Sequence, residues 1–258
     1  MSVLLDVKGI EKSFKLKGHW YHKRQVRALS PLSFTIEAKK TLAIIGQTGS
    51  GKSTLAKILV GAEKPSAGKI YLNGQLLKNQ RFKDRCQQIR MIFQDSGTTL
   101  NPSLTIKELL DEPLTLNTNL DENQRHQLIR TTLHKVGLLG DHMNFYPHMF
   151  SGGQKQRISL ARAIILQPQV IILDEALAAL DPSLRSQMIN LLLDLQQQMG
   201  LAYILISRNL GIVRHFSDNV MVLSDGEVVE SGKTIEVMRN PKHKVTQKLM
   251  VSQNFKLK

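Results

Sequence analysis

The chain has 258 residues, 41% of them hydrophobic and 22% charged, a formal net charge of +14 and one cysteine. That length suits one sizeable globular domain, or a core with a smaller subdomain. The lone Cys86 excludes an internal disulfide or a cysteine metal cluster, and no apolar run approaches the roughly 18 residues that cross a bilayer. Met1 to Asp6 lacks the basic and apolar regions of a secretory leader, so the expected compartment is the cytoplasm. Basic residues concentrate at Lys8 to Arg27, Lys78 to Arg90 and Arg239 to Lys258. No nucleic-acid module accompanies them, so no nucleic-acid partner is expected. An anionic membrane surface suits this charge better, and a solvated basic face is the plain alternative.

In chain order, Val3 to Ile10 alternates imperfectly and predicts a strand, with Phe14 just beyond it. A polar, basic loop from Lys15 to Arg27 holds Trp20 and Tyr21. Leu32 to Ile36 alternates strictly, as a half-buried strand does. The apolar run Leu42-Ala43-Ile44-Ile45 predicts a buried strand, and Leu55 to Val60 a helix. Gly68 to Leu72, closed by an Asn73-Gly74 turn, and Ile89 to Gln94 read as short strands.

From Ser103 to about Leu139 the periodicity becomes helical. Ile106, Leu109, Leu110 and Leu114 share one face, and Leu128, Ile129, Leu133 and Val136 another. Lys155 to Leu166 predicts a helix with Ser151 as N-cap. Val170 to Leu173 is a buried strand that ends in Asp174 and Glu175. A helix from about Pro182 to Met199 leads to a strand at Ala202 to Ile206, and a hairpin follows around an Asp225-Gly226 turn.

Between the strand at Leu42 to Ile45 and the helix from Leu55 lies Gly46-Gln47-Thr48-Gly49-Ser50-Gly51-Lys52-Ser53-Thr54. This is a phosphate-loop pattern in the strand-to-helix context that it requires. The glycines let successive N–H groups curl around a polyphosphate, the helix N-terminus adds partial positive charge, and Lys52 reaches the terminal phosphates. Ser53 offers a hydroxyl to Mg²⁺. Asp174 ends a strand where its carboxylate can hold the same ion, directly or through water. Glu175, one position on, suits a general base that polarises water. The implied fold class is α/β: a P-loop NTPase core with a parallel-rich sheet, an N-terminal antiparallel β subdomain and an inserted α-helical subdomain. The expected core covers about 1–95 and 158–235, the helical subdomain about 96–157, and a short basic tail 236–258.

With the phosphate loop, the acidic strand and Phe150-Ser151-Gly152-Gly153-Gln154 together, the chain resembles the nucleotide-binding subunits of ABC transporters. In physical terms Ser151 to Gln154 is a second phosphate cradle, a capping hydroxyl and exposed N–H groups at a helix start. The resemblance implies a head-to-tail dimer that holds ATP between the Gly46 to Thr54 loop of one subunit and the Ser151, Gly152, Gly153 and Gln154 segment of the other. It also implies roles for single residues. Gln94 touches Mg²⁺, Asp181 communicates across the dimer, and Phe14 stacks on adenine, with Trp20 and Tyr21 as competitors. Arg208 stands where the family places a histidine that contacts the γ-phosphate. Arginine stays charged and cannot accept a proton from water, so hydrolysis at this subunit's own loop is expected to be weakened. His215, within an expected helix, is a poor substitute.

Gln94 to Pro102 and Asn240 to Leu249 are similar to segments of the oligopeptide and dipeptide importers. Many of those extend further and carry a cysteine cluster, whereas this chain has only Cys86 and stops at Lys258. The subfamily implies a peripheral ATPase on the cytoplasmic face of a bacterial inner membrane. Its partners would be a second, non-identical ATP-binding subunit, two transmembrane permeases and, indirectly, an extracytoplasmic peptide-binding protein. The cargo would be peptides, cationic antimicrobial peptides among them. An ATP-gated clamp with little hydrolysis, or transport of haem, polyamine or metal chelate, fits the same residues.

Overall fold

In the computed structural model, residues 3–15, 25–77, 82–93 and 100–253 are described. Strand β3 (Thr41–Gly46) is buried at all six positions, as its unbroken apolar run requires. The chain divides into two compact units, Met1–Phe82 with Ala202–Lys258, and Lys83–Leu201.

In the first unit β3 lies between two parallel neighbours, β8 (Ala202–Ile206) and β9 (Asn219–Ser224). Strand β8 is buried throughout. Strand β10 (Glu227–Lys233) pairs antiparallel with β9. Asp225 and Gly226 turn that hairpin with φ of 49° and 80°, the left-handed pair that the Asp-Gly sequence supplies. A second, antiparallel sheet runs β2-β1-β4-β5, from β1 (Val3–Lys15), β2 (Gln25–Glu37), β4 (Ala67–Leu72) and β5 (Gln75–Leu76). Strands β1 and β2 are longer than the alternation suggested, and β1 takes in Phe14. Helix α1 (Lys52–Val60) follows β3 and packs Leu55, Ala56, Ile58 and Leu59 into the interior.

The same unit closes with α7 (Leu210–Phe216), α8 (Thr234–Arg239) and α9 (Lys244–Ser252). Residues that read as a basic tail thus form two helices. Thr246 and Met250 of α9 are buried, and its start is fixed by Glu230. The Glu230 carboxylate accepts from the N–H groups of Lys242 at 2.8 Å and His243 at 3.0 Å.

The second unit holds α2 (Phe82–Gln88) and the parallel pair β6 (Ile89–Ile92) and β7 (Val170–Asp174). Its helices are α3 (Ile106–Asn117), α4 (Glu122–Lys135), α5 (Gly152–Ile164) and α6 (Pro182–Met199). Three of them open with reciprocal capping boxes: Thr105 with Glu108, Asp121 with Gln124, and Ser151 with Gln154. The expected apolar faces are buried at Ile106, Leu109, Leu110, Leu114, Ile129, Leu133 and Val136, and half-buried at Leu128. Between α4 and α5 the chain takes two short 3-10 turns, Gly140–Asn144 and Pro147–Met149. No helix among the described residues is long and apolar enough to cross a membrane.

Candidate functional site

The phosphate loop leaves β3 at Gly46, where a Cβ would lie 2.2 Å from the Leu223 carbonyl oxygen and 2.7 Å from Ser50 Oγ. Only glycine lets the loop fold this tightly against β9. Gly51, with φ of 102°, occupies the N-cap position of α1 and brings no side-chain cap. The first-turn N–H groups of α1 are therefore left for another acceptor. A Cβ at Gly51 would meet Leu29 Cδ2 at 2.6 Å and the Ala28 oxygen at 2.8 Å, so β2 presses on the loop from outside. The hairpin turn braces it as well, through Gly226 N–H to the Ser50 carbonyl at 3.2 Å.

Within this frame the Lys52 ammonium is folded back on its own loop. It donates to the carbonyls of Gly46 at 2.8 Å and Gln47 at 2.6 Å and to Ser50 Oγ at 3.1 Å. The side chain is buried and centred in the cradle, the right place for a cation that meets polyphosphate. Gln47, Thr48, Gly49 and Ser53 are exposed, and Thr54 is half-buried. Phe14 lies in the same unit and is 37% exposed, with the Lys12 ammonium over its ring, 4.8 Å from the centre. Trp20, Tyr21 and Gln94 lie outside the described residues.

Beside the loop, a groove of about 420 Å³ is lined by Gly46, Gln47 and Thr48 on one side and by Ser207 and Arg208 on another. Arg208 is exposed at the end of β8. His215, on α7, is exposed six residues past Asn209, the N-cap of that helix, and does not line the groove.

The second unit carries the acidic pair and the second cradle. Strand β7 is buried from Val170 to Leu173 and half-buried at Asp174. Glu175 sits at φ of 52°, a left-handed conformation that costs a non-glycine residue about 1–2 kcal/mol and ends the strand. Its carbonyl closes a turn with Ala178 N–H at 3.0 Å. Arg185 clasps the following loop by donating to the carbonyls of Leu177 at 3.2 Å and Leu180 at 2.7 Å. Asp181 is the N-cap of α6 and accepts from Ser183 and Leu184 N–H, both at 3.0 Å.

Helix α5 begins at Gly152, earlier than Lys155, so both signature glycines belong to its first turn. Ser151 Oγ accepts from Gln154 N–H at 3.3 Å, and Gln154 Oε1 accepts from Ser151 N–H at 3.0 Å. The capping box thereby leaves the N–H groups of Gly152 and Gly153 aimed outward. A Cβ at Gly152 would meet nothing within 4 Å, while one at Gly153 would press on Leu184 Cδ2 at 3.0 Å. Buried Phe150 anchors the entry, its ring edge-on to His142 at 5.3 Å. One turn into the helix, Gln156 Nε2 donates to the Ala176 carbonyl at 2.8 Å in a buried bond. This ties the signature helix to the residue that follows Glu175. The sequence carried no local sign of Arg185 or Gln156, because each contact joins segments that are distant along an element or between elements.

Among the described residues no three His, Cys, Asp or Glu side chains gather as a metal centre. The Ser53 hydroxyl in the first unit and the Asp174 carboxylate in the second are each the kind of hard oxygen donor that Mg²⁺ takes, so the chemistry of each residue fits that ion.

A family model described as ABC transporter matches residues 29–178, more than half of the chain. The chain belongs to the ABC transporter family. Over 97% of its length this ABC cassette is 49% identical to the peptide transport system ATP-binding protein SapF of Salmonella typhimurium, of which it covers 93%. It is equally similar, at 49% over the same shares, to the protein of Escherichia coli K12 named putrescine export system ATP-binding protein SapF. Among solved structures, the dimeric ATP-binding cassette MJ0796 in a post-hydrolysis state bound to ADP and Pi matches with a TM-score of 0.75. That match has 26% identity and covers 90% of this chain and 99% of the other. The expected α/β fold and ABC ATPase class are both borne out.

Proposed function

We propose that this cassette is an ATP-hydrolysing subunit that energises a peptide importer at the inner face of a bacterial membrane. The observation that carries the reading is the phosphate loop, in which a buried Lys52 and the uncapped start of α1 meet in a tight turn that requires glycine at 46 and 51. Relatives named for peptide transport support the cargo class, and the dimeric ADP-bound relative supports ATP held between two cassettes. The partner is a second ATP-binding subunit, whose phosphate loop would face Ser151 to Gln154 of this chain, while two permeases receive the motion. The excess of Lys and Arg favours an anionic membrane surface.

Each residue then has a chemical task. Lys52 and the N–H groups of α1 bind the phosphates, Ser53 and Asp174 would hold Mg²⁺, and Gln94 would join them. Mg²⁺ supplies neutralisation of charge that builds on the phosphates. Glu175 orients and polarises the attacking water. Phe14 would offer its ring to adenine. Asp181, while capping α6, faces the dimer. Arg208 lines the groove by the loop with a charge that binds phosphate but cannot shuttle a proton, so binding outlasts fast hydrolysis at this site. Peptide cargo would extend to cationic antimicrobial peptides.

The equally similar relative named for putrescine export supports a second reading, in which a polyamine is the cargo. The deciding experiment is ATP turnover of the complete transporter with Glu175→Gln in this chain, compared with Arg208→His, under stimulation by peptide or by putrescine. Loss of turnover with Glu175→Gln and a rise with Arg208→His establish hydrolysis at this site. Unchanged turnover with Glu175→Gln makes the chain an ATP-gated clamp.

A further inference from the structure

The groove beside the phosphate loop has a third wall. Leu249, Ser252 and Gln253, at the end of α9, line it together with Gly46 and Arg208. Gln253 does more than line it. Its Oε1 accepts from Leu210 N–H at 3.0 Å, and its Nε2 donates to the Arg208 carbonyl. One amide thus satisfies both polar groups that flank the turn between β8 and α7. Leu210 is the first residue of α7, where the N–H has no partner inside the helix. The next donor along, Ile212 N–H, is taken by Asn209 Oδ1 at 3.1 Å, and Asn209 N–H by Ser207 Oγ at 3.1 Å. The whole Ser207 to Leu210 turn is therefore held from two sides. Ser207 and Asn209 act from within it, and Gln253 acts from a helix more than forty positions further along the chain.

Helix α9 is itself pinned at its other end, where Glu230 of β10 accepts from Lys242 and His243 N–H. It runs as a strap from the β9-β10 hairpin to the turn that presents Arg208, and that hairpin also contacts the phosphate loop at Ser50.

We propose that Gln253 is a positioning residue of the nucleotide site, its amide holding the Arg208 turn at the groove beside the phosphate loop. This rests on the reading of that loop as the ATP site. ADP, gripped through the loop, would be largely indifferent to Gln253. ATP, whose extra phosphate must be met by the groove-lining turn, would depend on it.

The test is equilibrium titration of the full chain with fluorescent ATP and ADP analogues, using Gln253→Met and Gln253→Glu. Methionine keeps the length and the packing while removing both hydrogen bonds. Glutamate keeps the acceptor for Leu210 N–H but sets an oxygen against the Arg208 carbonyl. The expected result is a loss of ATP affinity of about fivefold or more in both variants, with ADP affinity within about twofold of wild type. The thermal midpoint of Gln253→Met should fall by about 2–4 °C, the cost of a lost helix-start bond, with the chain still folded. Unchanged ATP affinity in Gln253→Met, or equal losses for ATP and ADP, would overturn the proposal while leaving the ATP reading intact. A wild-type chain that binds neither nucleotide would overturn both.

Discussion

The Gly152→Ala substitution separates folding from function more cleanly than any change within the phosphate loop. The Cβ it adds would find no heavy atom within 4 Å, and Gly152 needs no positive φ. It stands at the first position of α5, where alanine is at least as favourable as glycine and the intrinsic preference is worth up to about 1 kcal/mol. Folding should therefore be unchanged or slightly improved, with a thermal midpoint raised by no more than about 2–4 °C. Under the proposed function, that empty space is where the partner's nucleotide phosphate would approach in the assembled dimer. A methyl group there displaces a charge-assisted hydrogen bond worth about 1.5–3 kcal/mol, which is roughly a 10- to 100-fold loss in ATP turnover. Scanning calorimetry and steady-state ATPase of the complete transporter measure the two halves independently. Full turnover in a stably folded variant would refute the placement of a phosphate against this helix.

Lys52→Ala removes the ammonium at the centre of the loop, and titration with an ATP analogue should show affinity lowered about 10- to 100-fold. Asp181→Ala strips two N–H partners from the start of α6 and should cost about 1 kcal/mol, a fall of roughly 2–4 °C by calorimetry. Asp181→Asn keeps the cap, so loss of turnover in that variant would isolate the carboxylate's charge as the dimer contact. Burial pushes the Glu230 carboxyl upward, but the Lys242 N–H, the Thr246 hydroxyl, and the N–H and charge of His243 together outweigh this and hold it below the ordinary value of 4.5. Its stabilising contribution is therefore present above about pH 4.5 and disappears as pH falls through the lower folded value. Urea midpoints across that window should drop for the wild type and change less for Glu230→Gln.

Much of the site was legible because its elements obey local rules. Leu42 to Ile45 announces a buried strand, the glycines after it a tight loop, and Ser151 an N-cap. The reciprocal bond from Gln154 and the capping of α6 by Asp181 emerge only in the structure. Contacts between segments distant in sequence left no such signature. Nothing around Gln253 hints that its amide spans the Arg208 turn, since that contact exists only once α9 has docked. The tail itself was hidden because Thr234–Arg239 and Lys244–Ser252 are short and bury few apolar residues each. The left-handed backbone at Glu175 is equally silent, because glutamate carries no preference for it. The motif points Lys52 at phosphate, whereas its folding onto the loop carbonyls is a property of packing.

The buried bond from Gln156 to the Ala176 carbonyl joins two jobs that would otherwise be independent. Under the proposed function, one end of α5 would meet the nucleotide held by the partner subunit, and one turn later the same helix grips the backbone beside Glu175. A pull on Gly152 and Gly153 would then be felt beside the carboxylate proposed to activate water, and a shift there would be felt at the partner's phosphate. Free-energy coupling of this kind is reciprocal, so occupancy of the neighbour's site and readiness of this one would become a single variable. Two sites coupled in this way would take turns or fire together, and a cassette with a slower site of its own would still set the pace of the other.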